Sequence, residues 1–452
     1  MNRIATGRLE GGSCFAPVKA ASPSSVSWRR FVTAPNLLLT AYLLLAFVGT
    51  SPFSYVPPAE RQQGSLADRL MVISMLVVAL GLIWTRRRAA IDCFRANKLL
   101  FLVVGFCLLS TFWSDYPGLT FRRSLAFVFT LAIALGIAAS IVSLREFHTI
   151  LFAVTTGVIL LNLLGVALLP GQAIAPDGVQ GLYVQKNQAG MVAMIAVIIA
   201  ATWTMGAESR ASIVKGLAAT GVALVFLTVT RSKTSMGLTA VSLAFCGLFL
   251  LAQRIGPRFA LLVPAAAGLL LASGLGLFIL SDFDMGRMLG LFLTDTTFTG
   301  RDDLWSFAWR TSLERPWLGH GYGAFWDVGE INDPLSRMEP GTWLGDVDKG
   351  GLINEAHNGY LELMLVIGVP AMILAVAVIV GGLYVAIQRL VAAPERGDKA
   401  SFLMIALMLF AQLWHNVTES TLFMRSSPFF ILILLLLLTL SCRPDRAVAT
   451  AN

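Results

Sequence analysis

Apolar residues in this chain gather in long unbroken blocks, not in the strict alternation of half-buried strands. A helix needs about 20 residues to cross the roughly 30 Å hydrocarbon layer of a bilayer. Twelve blocks approach that length: 36–56, 69–84, 99–113, 124–143, 150–169, 190–206, 213–229, 235–252, 259–280, 359–387, 400–416 and 428–442. The expected fold is therefore all-α and polytopic, with about twelve transmembrane helices. Connections between the blocks are short apart from one, which sets the organisation: a disordered tail over 1–35, helices one to nine over 36–280, a large loop over 281–358, helices ten to twelve over 359–442 and a second tail over 443–452. A loop of that length in a compact bundle is usually functional.

Composition agrees with the pattern. Of 452 residues 56% are hydrophobic and only 13% charged, about half the roughly 25% usual in soluble domains. The net charge of +8 does not point to nucleic acid, because the basic residues are spread thinly between apolar blocks. They fit membrane topology instead. With the N-terminus inside, the cytoplasmic segments carry 20 Lys and Arg, against 8 on the other side once the 6 in the long loop are set apart. Both termini are thus expected in the cytoplasm and the large loop in the periplasm. Cys14, Cys93, Cys107, Cys246 and Cys442 avoid the outer loops, so no disulfide framework is expected. The first 33 residues lack the apolar core of a cleavable signal peptide.

Within the long loop, Thr299 followed by Asp302 has the form of an N-cap, and Leu304, Trp305, Ala308, Trp309 and Leu313 recur at helical spacing until Pro316. This predicts an amphipathic helix whose tryptophans serve as interfacial anchors or cover a glycan. The glycine run Gly319-His-Gly-Tyr-Gly323 has no strand before it and is not a dinucleotide fingerprint.

Cations stand where two rules disfavour them. Arg122 and Arg123, Lys186, Arg231 and Lys233, His357 and Arg425 precede the even-numbered spans at the outer face, against both the positive-inside rule and the helix dipole. Snorkelling would account for some of them. Arg231 and Lys233, in a short connection, resist that reading and point to a bound polyanion. His357 precedes span ten, where the dipole is expected to keep its ring neutral, as a general base requires. His148, placed in a cytoplasmic loop, and His320 receive no role, and His415 is a lesser candidate beside Glu419. Arginines for a diphosphate, a neutral His and an acidic aromatic loop suit transfer of a sugar from a lipid diphosphate by direct inverting displacement. Asp282/Asp284 and Asp346/Asp348 have the spacing of a divalent-cation pair, but in a loop this acidic such pairs arise by chance, and the cations make a metal redundant.

Three segments, Thr299-Gly-Arg301, Arg315-Pro-Trp-Leu-Gly-His-Gly-Tyr-Gly-Ala-Phe325 and Asn354-Glu-Ala-His357-Asn358-Gly-Tyr-Leu-Glu-Leu, together resemble the O-antigen ligase and Wzy-type polymerase superfamily, most of all its exopolysaccharide polymerases. His357-Asn358 is followed by nine residues, Gly368, two residues and Ala371, where ligases have Gly, Thr or Tyr at the last position. Gln185-Lys186-Asn187-Gln188, Thr230-Arg231-Ser232-Lys233 and Asn416-Val-Thr-Glu419-Ser420 extend the likeness over roughly 180–425. The resemblance implies a bacterial inner-membrane enzyme with undecaprenyl-diphosphate-linked oligosaccharide as donor and no metal or other cofactor. It implies His357 as catalytic base and, as substrate-binding residues, Arg231, Lys233, Arg301, Lys186, Asn187, Asn358, Glu419 and Arg425. A chain-length regulator and a flippase of the same pathway are its expected partners, with no nucleic acid. A ligase acting on lipid A core is the alternative. A transporter would favour ionisable residues at the midplane and paired halves, neither of which the sequence has.

Overall fold

A computed structural model describes residues 32–50, 52, 66–255, 301–326, 328 and 354–442, with side chains left aside at 245–246, 248–255 and 301–303. Helices dominate: α1 (Ala34–Val48), α2 (Leu66–Thr85), α3 (Arg87–Ala96), α4 (Lys98–Leu109), α5 (Pro117–Ala138), α6 (Leu144–Leu168), α7 (Lys186–Met205), α8 (Arg210–Thr230), α9 (Lys233–Ile255), α10 (Arg301–Ser312), α11 (Gly359–Ala392), α12 (Arg396–His415) and α13 (Pro428–Ser441). Among the described residues the strand content is one hairpin, with Ile174–Ala175 antiparallel to Gly178–Val179. Local sequence starts these helices. Ser143, Ser209 and Ser427 each accept a first-turn amide of α6, α8 and α13, and a proline opens α1, α5 and α13.

Among the described residues six helices, α2, α5, α6, α7, α8 and α11, are long and apolar enough to cross a membrane. The chain is a multi-pass membrane protein. The bent pair α3 and α4, at 84°, adds a seventh if it counts as one span, and α1 and α13 are shorter apolar helices. The expected twelve is therefore met only in part, and expected span nine (259–280) lies outside the described residues, as do Asp282, Asp284, Asp346 and Asp348. The protein core sits around α7, whose apolar window is 78% buried, against 11% for α2. α7 packs on α6, α8, α9 and α12. Since lipid tails are as apolar as leucine, such packing depends on close fit. Gly190 supplies it where α7 meets the α8–α9 turn: a Cβ there would overlap the Ser232 side chain.

α11 has 34 residues. Unbroken, it would measure about 51 Å, well beyond the bilayer core. It breaks at Gly368, which has φ 78°, two residues before Pro370. Proline has no N–H for the Val366 carbonyl, and the break turns the Val369 amide away from Leu365. The loop after α10 takes up all three groups: His320 N donates to Leu365 O (2.8 Å), Gly321 N to Val366 O (3.0 Å) and Val369 N to Pro316 O (2.8 Å). The same segment is fastened on its other side. Trp113 Nε1 donates to Leu318 O (2.9 Å), Arg315 pairs with Asp115 (2.8 Å) and Tyr322 Oη donates to Phe423 O (2.7 Å). The glycine run is thus a wedge seated in a helix break.

Three expectations change here. Arg123 donates to the carbonyls of Gly323 and Trp326, so it holds the wedge and is not a free mouth cation. His148 lies inside α6, fully buried, between Ser401 Oγ (3.1 Å) and the Ile199 carbonyl (3.2 Å), and not in a loop. The predicted loop helix exists as α10, but Trp305 is fully buried, so it is no interfacial anchor. Trp317, 73% exposed, remains free for that role.

Candidate functional site

His357 stands two residues before α11, in a left-handed backbone conformation with φ 47°. For a non-glycine residue that costs about 1–3 kcal/mol and persists only where the surroundings impose it. They do so from both sides. The preceding residue, Ala356, gives its N–H to Glu362 Oε2 (2.9 Å) and receives Trp305 Nε1 on its carbonyl (3.0 Å). Glu362, buried in the first turn of α11, also accepts from Trp326 Nε1 (2.9 Å). The following residue, Asn358, donates its N–H to Ser420 Oγ (3.0 Å) and its amide to Val417 O (3.2 Å). Its Oδ1 accepts from the amides of Tyr360 and Leu361, both at 3.1 Å, which starts α11. Asn358, expected to touch substrate, is instead an N-cap, 4% exposed, with its hydrogen bonds made inside the protein.

The imidazole is bracketed by carboxylates. Nδ1 lies 3.0 Å from Glu355 Oε1 and 3.4 Å from Glu419 Oε2, at ion-pair distances without an aligned hydrogen bond. Burial pulls the ring's pKa down, but the two carboxylates more than reverse this and raise it to about 9. The ring was expected to be neutral and at pH 7 is imidazolium. Two full charges at contact outweigh the half charge of a helix end, which contributes at most about 2 kcal/mol.

Glu419 leads on to the next helix. Asn187, in the first turn of α7, donates Nδ2 to Glu419 Oε1 (3.1 Å) and accepts from Ser232 Oγ (3.3 Å). Ser232 is the buried centre of the Arg231-Ser-Lys233 turn, 1% exposed, while Arg231 and Lys233 on either side are exposed. Arg231 itself is left-handed, φ 54°, closing α8. A chain Ser232, Asn187, Glu419, His357 therefore joins four segments far apart in sequence. Among the described residues neither Arg231 nor Lys233 has a carboxylate at ion-pair distance, so both remain available to an anion.

Other expected ligands are placed elsewhere. Lys186 is paired with Asp177 (2.9 Å), holding that carboxyl below the usual range and tying the hairpin to α7. Arg425 is half-buried, and its backbone amide donates to Tyr322 Oη (3.3 Å). Arg301 opens α10, and its side chain is outside the described residues. His415 is buried, with Nδ1 3.3 Å from Thr421 Oγ1, and it lines a cavity of about 350 Å³ together with Glu355, Glu419 and Asn187. Glu355, Glu362, Ser232 and Ser420 stand in the segments that carry the likeness but received no role from sequence. Glu355 was legible in Asn-Glu-Ala-His, two residues from His357. For Glu362 and Ser420 no local signal exists, since their roles depend on where the backbone of 356–358 runs. Glu355, His357 and Glu419 present three ligand atoms close enough to hold a metal ion. The imidazolium already supplies a positive charge between the two carboxylates.

These are the segments that carried the sequence resemblance. Residues 218–376 match the O-antigen ligase family, Wzy_C. The match runs from α8 past the Gly368 break, so it takes in the Arg231 turn, α10 and His357. The chain is also 24% identical over 344 residues, 74% of its length, to the exopolysaccharide production protein ExoQ of Rhizobium meliloti (strain 1021), covering 75% of that relative. The likeness to the O-antigen ligase and Wzy-type superfamily therefore holds. The Gly368 of its spaced motif has a physical role, as the helix break that seats the 315–325 segment, and Ala371, at the departing position, is buried just beyond it.

Proposed function

We propose that this chain is an inverting membrane glycosyltransferase of the bacterial inner membrane that polymerises undecaprenyl-diphosphate-linked exopolysaccharide repeat units. It would act at the periplasmic face, with twelve spans and both termini in the cytoplasm. The observation that carries this is His357, clamped in a left-handed conformation, bracketed by Glu355 and Glu419 and joined through Asn187 to the Arg231-Ser-Lys233 turn.

In this reading the carboxylates hold Nδ1 and leave Nε2 for the acceptor. The neutral form of His357 takes the proton from an acceptor hydroxyl as that oxygen bonds to the anomeric carbon from the face opposite the leaving group. The bond from the anomeric carbon to the diphosphate oxygen breaks, and its electron pair leaves with undecaprenyl diphosphate. Arg231 and Lys233, with Arg301, neutralise the growing negative charge, so no metal is required. Glu355 and Glu419 stabilise the imidazolium that forms, as the carboxylate of a catalytic triad does.

The deciding experiment incubates purified protein with a lipid-diphosphate repeat unit and reads product length on a gel. A ladder is expected. A single addition, made only to a lipid A core acceptor, would show the ligase instead. No transfer of either kind would refute the enzyme reading.

A further inference from the structure

Neighbouring membrane helices are joined at the bilayer surface, and α2 and α4 are joined there by a helix of their own. α2 runs for 20 residues, about 30 Å, and ends at Thr85. α3 starts at Arg87 and meets α4 at 84° across Asn97. Four of its ten residues are charged, which is unfit for hydrocarbon, so α3 runs along the headgroup layer while α4 turns inward. Trp84, exposed one turn before α3, stands at the level of an interfacial aromatic.

At about 100° per residue, the side chains of α3 divide into faces. Ala89, Ala90 and Cys93 are buried: the alanines pack on Ala139 and Leu135 at the end of α5, and Cys93 Sγ donates to Leu438 O of α13 (3.4 Å). Beside this inner face stand Ile91 and Phe94, three positions apart and both exposed. Beyond them, away from the bundle, are Arg88 and Arg95, seven apart and exposed, with Asp92 on the remaining side. Arg87 and Lys98 are exposed at the two ends. Among the described residues none of these four cations has a carboxylate at ion-pair distance. An apolar stripe next to a cationic one fits hydrocarbon below and phosphate above. A soluble anion would engage the cations alone and leave Ile91 and Phe94 in water. We infer that α3 is an in-plane docking surface for anionic phospholipid, with Arg88, Arg95 and Lys98 on the headgroup phosphates and Ile91 and Phe94 among the upper acyl carbons. In the topology proposed above this is the cytoplasmic leaflet, so the inference stands apart from the reaction at His357.

Native mass spectrometry of the purified full chain in detergent counts bound lipid as phosphatidylglycerol or phosphatidylcholine with the same acyl chains is titrated in. The anionic lipid should bind at least roughly tenfold more tightly, since each basic residue close to an anionic headgroup contributes a factor of about five. Arg88→Gln combined with Arg95→Gln should remove most of that preference. Arg210→Gln combined with Lys215→Gln, two exposed cations of α8, takes away the same charge and should leave the preference intact. Ile91→Asn should weaken both lipids together. Equal binding of the two lipids by the wild type would overturn the inference, as would an unchanged preference in an Arg88→Gln/Arg95→Gln protein of normal thermal midpoint. Full retention of lipid by Ile91→Asn, or displacement of phosphatidylglycerol by inorganic phosphate at equal concentration, would also overturn it, because either would make the site one for a free anion.

Discussion

His357 carries opposing demands at the scale of a single residue. A base must be free of its proton, yet Glu355 and Glu419 hold that proton on until about pH 9. The rate at neutral pH would then come from the minority of neutral rings, and kcat/KM should climb tenfold per pH unit until it levels near 9. Glu355→Gln removes one of the two carboxylates and should move that inflection to lower pH; an inflection that stays put would exclude His357 as the titrating base. The same shift bears on stability. The folded ring's pKa is raised above the unfolded value of roughly 6.5, so its contribution is complete below that value and is lost as pH rises through 9. His357→Ala should lower turnover by roughly 10²–10⁴ fold at normal protein level. The exposed Arg231 is predicted to act through its planar fork, which binds a phosphate by two parallel hydrogen bonds. Arg231→Lys should therefore cut polymer synthesis severely. Arg310→Lys, an exposed position whose Nε donates to the Ser306 carbonyl of its own helix, should be silent. Normal polymer from both lysine variants would return Arg231 to an interfacial role.

Two elements hold His357 in place, and each can be weakened separately. α10 reaches the His357 loop through Trp305, whose indole donates to the Ala356 carbonyl. Trp305→Phe keeps the ring's packing and removes one buried hydrogen bond, a loss of about 1–3 kcal/mol. If the bond orients His357, the variant should lose kcat with KM little changed, while a general loss of fold would lower expression instead. The break in α11 is the second element. A Cβ at Gly368 would stand 2.5 Å from the Trp317 carbonyl carbon and oxygen, and φ 78° is itself unfavourable for alanine. Gly368→Ala should thus destabilise by about 1–3 kcal/mol or more, read as a lower midpoint of thermal unfolding in detergent. A midpoint equal to wild type would mean that the wedge of 315–325 does not depend on this break.

For the molecule as a whole, the arrangement separates support from chemistry. The buried helices α7, α12 and α13 form the frame, and the residues proposed to function stand on their ends and on the connections between them. α7 supplies Asn187 from its first turn, the segment after α12 supplies Glu419 and Ser420, and the turn between α8 and α9 supplies Arg231 and Lys233. Charge neutralisation by these side chains predicts activity that survives exhaustive chelation. Loss of polymerisation in EDTA, recovered with Mg²⁺ or Mn²⁺, would instead make Glu355, His357 and Glu419 a metal centre.

Hydropathy by itself determined that the chain is helical and multi-pass, because in lipid every backbone group must be paired within its own segment and long apolar runs leave no other solution. The placement of cations and of His357 beside helix starts was likewise legible, since it breaks a rule that acts within a few residues along the chain. The state of His357 was not. Its flanking charge from Glu419 lies 62 positions away, and only folding brings it within 3.4 Å of the ring. The same holds for Glu362, whose buried carboxylate looks from sequence like a polar residue on an apolar helix. Tertiary structure alone decided that Asn358 caps a helix, that Lys186 is already paired, and that Asn187 and Glu419 join the Arg231 turn to His357. Hydrophobic pattern is a property of consecutive residues, whereas a charge's partner is set by distance in space, and this fold brings residues 187, 232, 357 and 419 to one point.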